Sequence, residues 1–237
     1  MADAFGRMVE DYRKDRLAER SVYRRDDGHV SEAHLEGYFA DYDDWSELDR
    51  WMVERVSGSV LDLGCGVGRT ALWAQERGHA TVGIDRSPGA IRVVRERGVE
   101  RALIGDLGDP PLRTGFDTLL VIGQQLGLGR SRAALEGTLS ELARVTEPGG
   151  KLVADLSDPT GPDPRAESEY LDRHAVERGL AYRRFRVEYD GCAGPWIDLL
   201  MASPDALAEV VAGTPWTAEE ILETDSSAYG VVLNHGG

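Results

Sequence analysis

Short apolar runs alternate with amphipathic stretches through the middle of the chain, and their spacing predicts a strand–helix–strand repeat. Val60–Leu63 reads as a strand and Arg69–Arg77 as the helix after it, closed by Gly78. Thr81–Ile84 is the second strand. Pro88–Arg97 is a helix with Pro in its first turn and Gly98 past its end. Arg101–Ile104 is a third strand. Phe116–Ile122 is a fourth, apolar on both faces as a central parallel strand should be. Ser131–Arg144 is a helix, and Lys151–Leu156 is a fifth strand after the turn Pro148-Gly149-Gly150. This rhythm argues for a doubly wound α/β sheet.

The flanks follow other periods. Residues 1–30 are highly charged and read as a mobile or helical lead. From Ser31, a plausible N-cap, Leu35, Tyr38, Phe39, Tyr42, Trp45, Leu48, Trp51, Met52 and Val56 recur at steps of three or four, which predicts a helix ended by Gly58. After Asp158, Pro159, Pro162 and Pro164 mark a loop. Leu180–Tyr189 alternates, Asp190-Gly191 is a turn signal, and Trp196–Met201 returns as a strand. Ser203-Pro204-Asp205 opens another helix, and Glu220–Glu223 and Tyr229–Leu233 are strand candidates. Residues 1–57 are thus expected to form a helical cap on a domain over 58–237. That domain has its core motifs in 58–156 and an antiparallel insertion at about 159–202.

Charge and cysteine usage narrow the function. The net charge of −15 repels phosphate backbones and disfavours nucleic acid as a partner. Only Lys14 and Lys151 are lysines. Acid excess with so little Lys resembles proteins of salt-loving organisms, and a GC-rich genome gives the same Arg bias. Cys65 and Cys192 form no CxxC pair and the histidines are scattered, so no metal site is expected. No apolar stretch approaches the ~20 residues that span a bilayer, and the charged N-terminus has no signal-peptide core, so a cytoplasmic address is expected.

The chemistry concentrates at strand ends. Val60-Leu61-Asp62-Leu63-Gly64-Cys65-Gly66-Val67-Gly68-Arg69 runs from a buried strand through a glycine-dense turn into a helix, whose N-terminus suits a carboxylate. The dinucleotide fingerprint GxGxxG would place its third glycine at position 69, which holds Arg69. Asp85, followed by Arg86, ends the second strand, where a carboxylate can accept from both ribose hydroxyls. Asp106-Leu107 follows the third. Gly123 and Gln124 end the fourth, at the sheet edge where ligands bind.

VLDLGCGVG resembles motif I of the class I S-adenosylmethionine-dependent methyltransferases, of the broad small-molecule branch. The resemblance is closest over residues 58–156. It implies a Rossmann-like, seven-stranded, mostly parallel sheet with helices on both faces and the last hairpin strand reversed. It also implies S-adenosylmethionine as cofactor and S-adenosylhomocysteine as product. Asp62, Gly64, Cys65, Gly66, Gly68, Asp85, Arg86, Asp106, Leu107, Gly123 and Gln124 would then contact the cofactor, with Asp106 on the adenine amine and Leu107 on its plane. The Asn/Asp-Pro-Pro-aromatic tetrad of DNA-adenine methyltransferases is missing after the fourth strand. The expected acceptor is therefore an O, N or C nucleophile of a small molecule, and a homodimer stays open. Because a sulfonium is an excellent leaving group, a general base is optional, and no catalytic residue is fixed. Gln124 and His174 are the candidates. Tyr38, Tyr42 and Trp45 read as core packing, with a lid as the lesser reading, and Arg183, Arg184 and Arg186 as a solvated strand face. A nicotinamide-dependent oxidoreductase and a non-catalytic cofactor-binding module stay open as alternatives.

Overall fold

The computed structural model describes residues 2–17, 21–113, 115–162 and 168–236. The chain opens with α1 (Ala4–Arg13), strands β1 (Val22–Arg25) and β2 (Val30–Glu32), and helices α2 (Glu36–Phe39) and α3 (Glu47–Val53). The central repeat follows as β3 (Val60–Leu63), α4 (Arg69–Glu76), β4 (Thr81–Asp85), α5 (Pro88–Glu96), β5 (Ala102–Ile104), β6 (Phe116–Val121), α6 (Arg132–Ala143) and β7 (Thr146–Ser157). Next come α7 (Ser168–Arg173), β8 (Ala175–Glu177), β9 (Leu180–Tyr189), β10 (Cys192–Ala193) and β11 (Ile197–Ala202). The chain then returns to the first sheet through α8 (Pro204–Val211), β12 (Trp216–Glu223) and β13 (Ala228–His235).

The main sheet has seven strands in the order β12-β13-β7-β6-β3-β4-β5. β3 to β7 pair in parallel, and β13 runs antiparallel to both of its neighbours. The core lies on both faces, as strand alternation requires. Leu61, Leu63, Leu119, Val121, Leu152 and Ala154 pack under Leu135, Leu139, Leu207 and Val210 of α6 and α8. Val60, Leu120, Val153 and Val232 pack under Trp45, Met52 and Trp73 on the opposite face.

The second sheet is built around β9. Phe185 pairs with Arg25 of β1 on one side and Ile197 of β11 on the other. β8 continues the β1 edge, and β10 continues the β11 edge. The Asp190-Gly191 turn forms as expected, with both residues at positive φ (48° and 68°).

The N-terminal segment differs from its expected form. The lead holds α1 and a β1–β2 hairpin, so residues 1–57 supply strands as well as helices. The single helix expected from Ser31 is three pieces, two short helices and a 3-10 turn (Tyr42–Asp44) between them. Ser31 itself lies in β2. Ala40 and Asp41 adopt extended backbone (ψ 141° and 161°), and Ser46 starts α3 by accepting from the Asp49 amide at 3.0 Å. The aromatic spacing survives the break because the pieces still pack one stripe against Trp73. The turn Pro148-Gly149-Gly150 is a bulge inside β7, where the register moves from Phe116↔Thr146 to Thr118↔Lys151. β12 starts at Trp216, not Glu220, because a second bulge between Ala218 and Glu220 masks the alternation. Pro164 lies outside the described residues.

Candidate functional site

The glycine turn follows β3 and is tied to the next strand: the Gly64 and Cys65 amides donate to the Ile84 carbonyl at 2.8 and 3.0 Å. Gly64 and Gly66 have φ of 71° and 54°, a region that side chains rarely adopt. Gly68 has another job: a Cβ there would lie 3.2 Å from Val94 and Val99, so it lets α4 sit close to α5.

A cavity of about 270 Å³ opens on this turn. Asp62, Gly64, Cys65, Gly66, Val67, Arg69 and Thr70 form one side. Ile122 and Gly123, past β6, form another, and His34, Gly37 and Tyr38 come from the N-terminal segment. A Cβ built on Gly66 would meet Phe5 and Tyr38 at 3.9 Å, so α1 and α2 carry aromatic rings over the turn.

The register aligns Asp62 with Gly83, Leu120 and Val153, so Asp62, Asp85 and Asp155 all project from the same face of the sheet. All three are buried. Asp62 accepts from the Thr70 hydroxyl at 2.6 Å and from the Ala71 amide, which caps α4 where Gly68 offers no side chain. Asp85 accepts from the Gly66 amide at 2.9 Å and from the Ser87 amide at 2.8 Å. Asp155 accepts from the Gly123 and Gln124 amides at 2.7 and 3.1 Å. Burial outweighs these hydrogen bonds and pushes each carboxyl up to about 6. Burial likewise pushes the Cys65 thiol well above its usual range, so this thiol is no thiolate nucleophile at neutral pH.

Arg69 is held beside the cavity. Its guanidinium pairs with Asp49 at 3.1 Å and lies 4.5 Å from the centre of the Trp45 ring. Tyr38 lines the cavity and shares a 2.7 Å hydroxyl contact with Tyr23 of β1. Tyr42 and Trp45 instead pack on Trp73 and on each other.

α1 reaches the site through Asp3. Its carboxylate accepts from the Gly6 amide in its own helix and from the Ser87 hydroxyl and Gly89 amide of α5, all at 2.8–2.9 Å. One carboxylate thus caps two helix N-termini. The helices cross so closely there that a Cβ on Gly89 would lie 2.6 Å from Gly6 Cα.

The remaining expected site residues lie further out. Arg86 and Asp106 are exposed, and Asp106 accepts from the Gly108 amide at 2.9 Å. Leu107 is buried in the core under the sheet. Gln124 stands at φ 62°, next to the cavity rim but not on its wall. His174 is outside the cavity. Its ring nitrogens meet the Tyr170 carbonyl and the Asp26 carboxylate at 2.8 and 3.1 Å, and its ring stacks on Tyr170. Arg184 and Arg186 face Asp198 and Glu188, with Trp196 between them. Among the described residues, no group of three or more His, Cys, Asp or Glu is placed to hold a metal. Among the same residues, no helix is long and apolar enough to cross a membrane.

Sequence reasoning missed Asp155, Asp3 and the Tyr23–Tyr38 pair. For Asp155 a signal was present: it is a lone carboxylate in the apolar run Leu152-Val153-Ala154-Asp155-Leu156, as Asp62 and Asp85 are in theirs. For Asp3 and Tyr23 there was none, because their partners are remote in sequence.

Residues 60–150 match the model of a methyltransferase domain. The chain is 33% identical over 127 residues to a 2-heptyl-1-hydroxyquinolin-4(1H)-one methyltransferase of Mycobacteroides abscessus, covering 48% of this chain and 56% of that protein. It is 30% identical over 177 residues to the methyltransferase GfsG of Streptomyces halstedii, covering 66% and 60%. The chain thus spans little more than half the length of these curated relatives. The fold matches a Bacteroides fragilis S-adenosylmethionine-dependent methyltransferase, solved with S-adenosyl-L-homocysteine, at TM-score 0.84 and 23% identity, over 100% of this chain and 96% of that one. Residues 60–150, which carry the glycine turn after β3, are thus similar to a methyltransferase domain, and the whole chain shares the fold of an S-adenosylmethionine-dependent methyltransferase, with β13 as the reversed strand of its main sheet.

Proposed function

We propose that the chain transfers a methyl group from S-adenosylmethionine to an O, N or C nucleophile of a small molecule. The observation that carries this reading is the pair of buried carboxylates, Asp62 and Asp85, flanking a bare glycine turn. Asp62 lines the cavity and favours a ligand with a cationic group there. A carboxylate placed like Asp85 fits the ribose of either cofactor, so Arg69 in place of the third glycine is the feature that counts against a nicotinamide site.

The residues present fit the cofactor. The turn at Gly64–Gly66 borders the cavity and has no side chain at its two glycines, so a ligand there meets backbone. When bound, S-adenosylmethionine supplies an activated methyl whose leaving group is a neutral thioether. The chain then has to bind, align and keep out water. Asp62 and Asp85 hold the shape of the turn and offer negative charge to the cationic end. Asp85 and Arg86 would serve the ribose and Asp106 the adenine, while the Leu107 side chain stays in the core. Phe5 and Tyr38 cover the turn and exclude water. Gly123 is exposed at the β6 tip and leaves room for an acceptor to approach beside Gln124. With no base fixed by geometry, the acceptor must bring a nucleophile acidic enough to react at neutral pH, or lose its proton to solvent.

A small-molecule acceptor is supported by the name of the Mycobacteroides abscessus relative, a hydroxyquinolinone methyltransferase, and by the net charge of −15, which disfavours a nucleic acid. The test has two steps. Calorimetry with S-adenosylhomocysteine and with NADH reads the cofactor: binding of the first alone is expected, and binding of NADH alone overturns the assignment. Release of S-adenosylhomocysteine across a panel of hydroxy-aromatic, amine and carbon-acid acceptors reads the reaction. Tight cofactor binding with no turnover on any acceptor would instead favour a non-catalytic binding module.

A further inference from the structure

β6 ends in an unusual bend. Gly123 and Gln124 are consecutive left-handed residues, with φ of 85° and 62°. For Gln124 this conformation is strained and persists only where surrounding structure fixes it. The two amides converge on one atom, Asp155 Oδ1, which accepts from both.

The bend matters to the cavity. Gly123 and Ile122 form the cavity wall that faces the glycine turn. The next residue, Gln125, folds back over the turn: its Cγ lies 2.9 Å from where a Gly64 Cβ would be, and its amide donates to the Gly123 carbonyl at 3.3 Å. The conformation at 123–124 therefore sets the spacing between the two walls. Asp155 is itself rigidly placed. It lies in β7, opposite Gly230 of β13, and Trp51 packs over that glycine.

We propose that Asp155 is a positioning residue of this site: by accepting from the Gly123 and Gln124 amides with one oxygen, it holds the β6 tip in the bend that forms the acceptor-side wall. The inference rests on the methyltransferase reading for what the cavity binds, but not for what Asp155 does to the bend. A role as general base is a different one, since it needs the carboxylate charge, whereas positioning needs only an acceptor oxygen.

The test compares Asp155→Ala with Asp155→Asn in the full chain. Two quantities are read: hydrogen exchange at the Gly123 and Gln124 amides by NMR, and affinity for S-adenosylhomocysteine by calorimetry. Asp155→Ala should raise exchange and weaken affinity by about tenfold each, and Asp155→Asn, which keeps the Oδ1 acceptor, should hold both within about threefold of the parent chain. Asp155→Asn as impaired as Asp155→Ala would overturn the proposal in favour of a charge effect. Unchanged exchange in Asp155→Ala would overturn it outright. Where Asp155→Ala does not fold, Asp155→Val, a strand-compatible residue without an acceptor, replaces it with the same expectations. A parent chain that ignores S-adenosylhomocysteine defeats the methyltransferase reading alone, and the exchange comparison still decides the role of Asp155.

Discussion

Tyr23 and Tyr38 meet hydroxyl to hydroxyl at 2.7 Å, joining β1 of the second sheet to the segment that covers the glycine turn. The pair carries two protons and consumes one. Burial raises the pKa of both phenols, so neither ionises near neutral pH. A hydroxyl buried with a single partner is costly to orphan. Tyr23→Phe and Tyr38→Phe should each destabilise the chain by about 1–2 kcal/mol, and the double variant by less than their sum. A double-mutant cycle by urea unfolding measures this, and strict additivity would show that the contact contributes nothing.

Asp85 touches the site through the Gly66 and Ser87 amides. Asp85→Ala frees both and removes a charge from beside the turn. Cofactor affinity should fall by about 1–3 kcal/mol, read by calorimetry with S-adenosylhomocysteine. Unchanged affinity would remove Asp85 from the binding site.

The three carboxyls at about 6 also set a pH dependence. Their pKa in the fold lies above the ordinary value of 3.8, so the folded chain holds more protons than the unfolded chain in between. Their contribution to stability is therefore full below the unfolded pKa and is lost as pH rises from about 4 to 6. Acids with depressed pKa, such as Asp27 held at about 2 by Arg25, act oppositely but below that window. Urea midpoints of the cofactor-free chain should decline from pH 5 to pH 7, and Asp62→Asn should flatten the decline. A cationic ligand stabilises the ionised carboxylates, so its affinity should rise across the same interval with release of protons, visible in calorimetry with buffers of different ionisation enthalpy.

At the α1–α5 crossing, Gly89→Ala would force a methyl to within 2.6 Å of the Gly6 backbone. Overpacking of this kind costs about 1–3 kcal/mol. It should lift α1 from α5, exposing α1 to proteolysis before the rest of the chain. Resistance equal to the parent chain would mean that α1 docks by other contacts.

The central sheet was legible because its signals are local. Val60–Leu63 and Thr81–Asp85 are apolar runs ended by a glycine turn and by Ser87-Pro88, and each strand end announces itself within a few residues. The N-terminal segment was not. β1 is apolar at Val22 and Tyr23 only, and it is a strand because β9 offers it an edge, which no window of residues can reveal. The aromatic stripe from Leu35 to Val56 has helical period yet is broken by extended backbone at Ala40–Asp41, because packing on Trp73 rewards the spacing without requiring one continuous helix. In the site, the glycines and the acidic strand ends were readable, whereas their partners, Asp3 at Ser87 and Tyr23 at Tyr38, come together only in the folded chain.

β1 finds its partner in β9, on the far side of the entire parallel sheet in sequence. The ribosome therefore delivers the β1–β2 hairpin long before the strand that will shelter it, and an unpaired edge waits while the parallel strands β3 to β7 are made. Contacts of such high order form late and slowly. The roof over the glycine turn, tied to β1 through the Tyr23–Tyr38 contact, is therefore complete only after β9 has been made and has paired with β1.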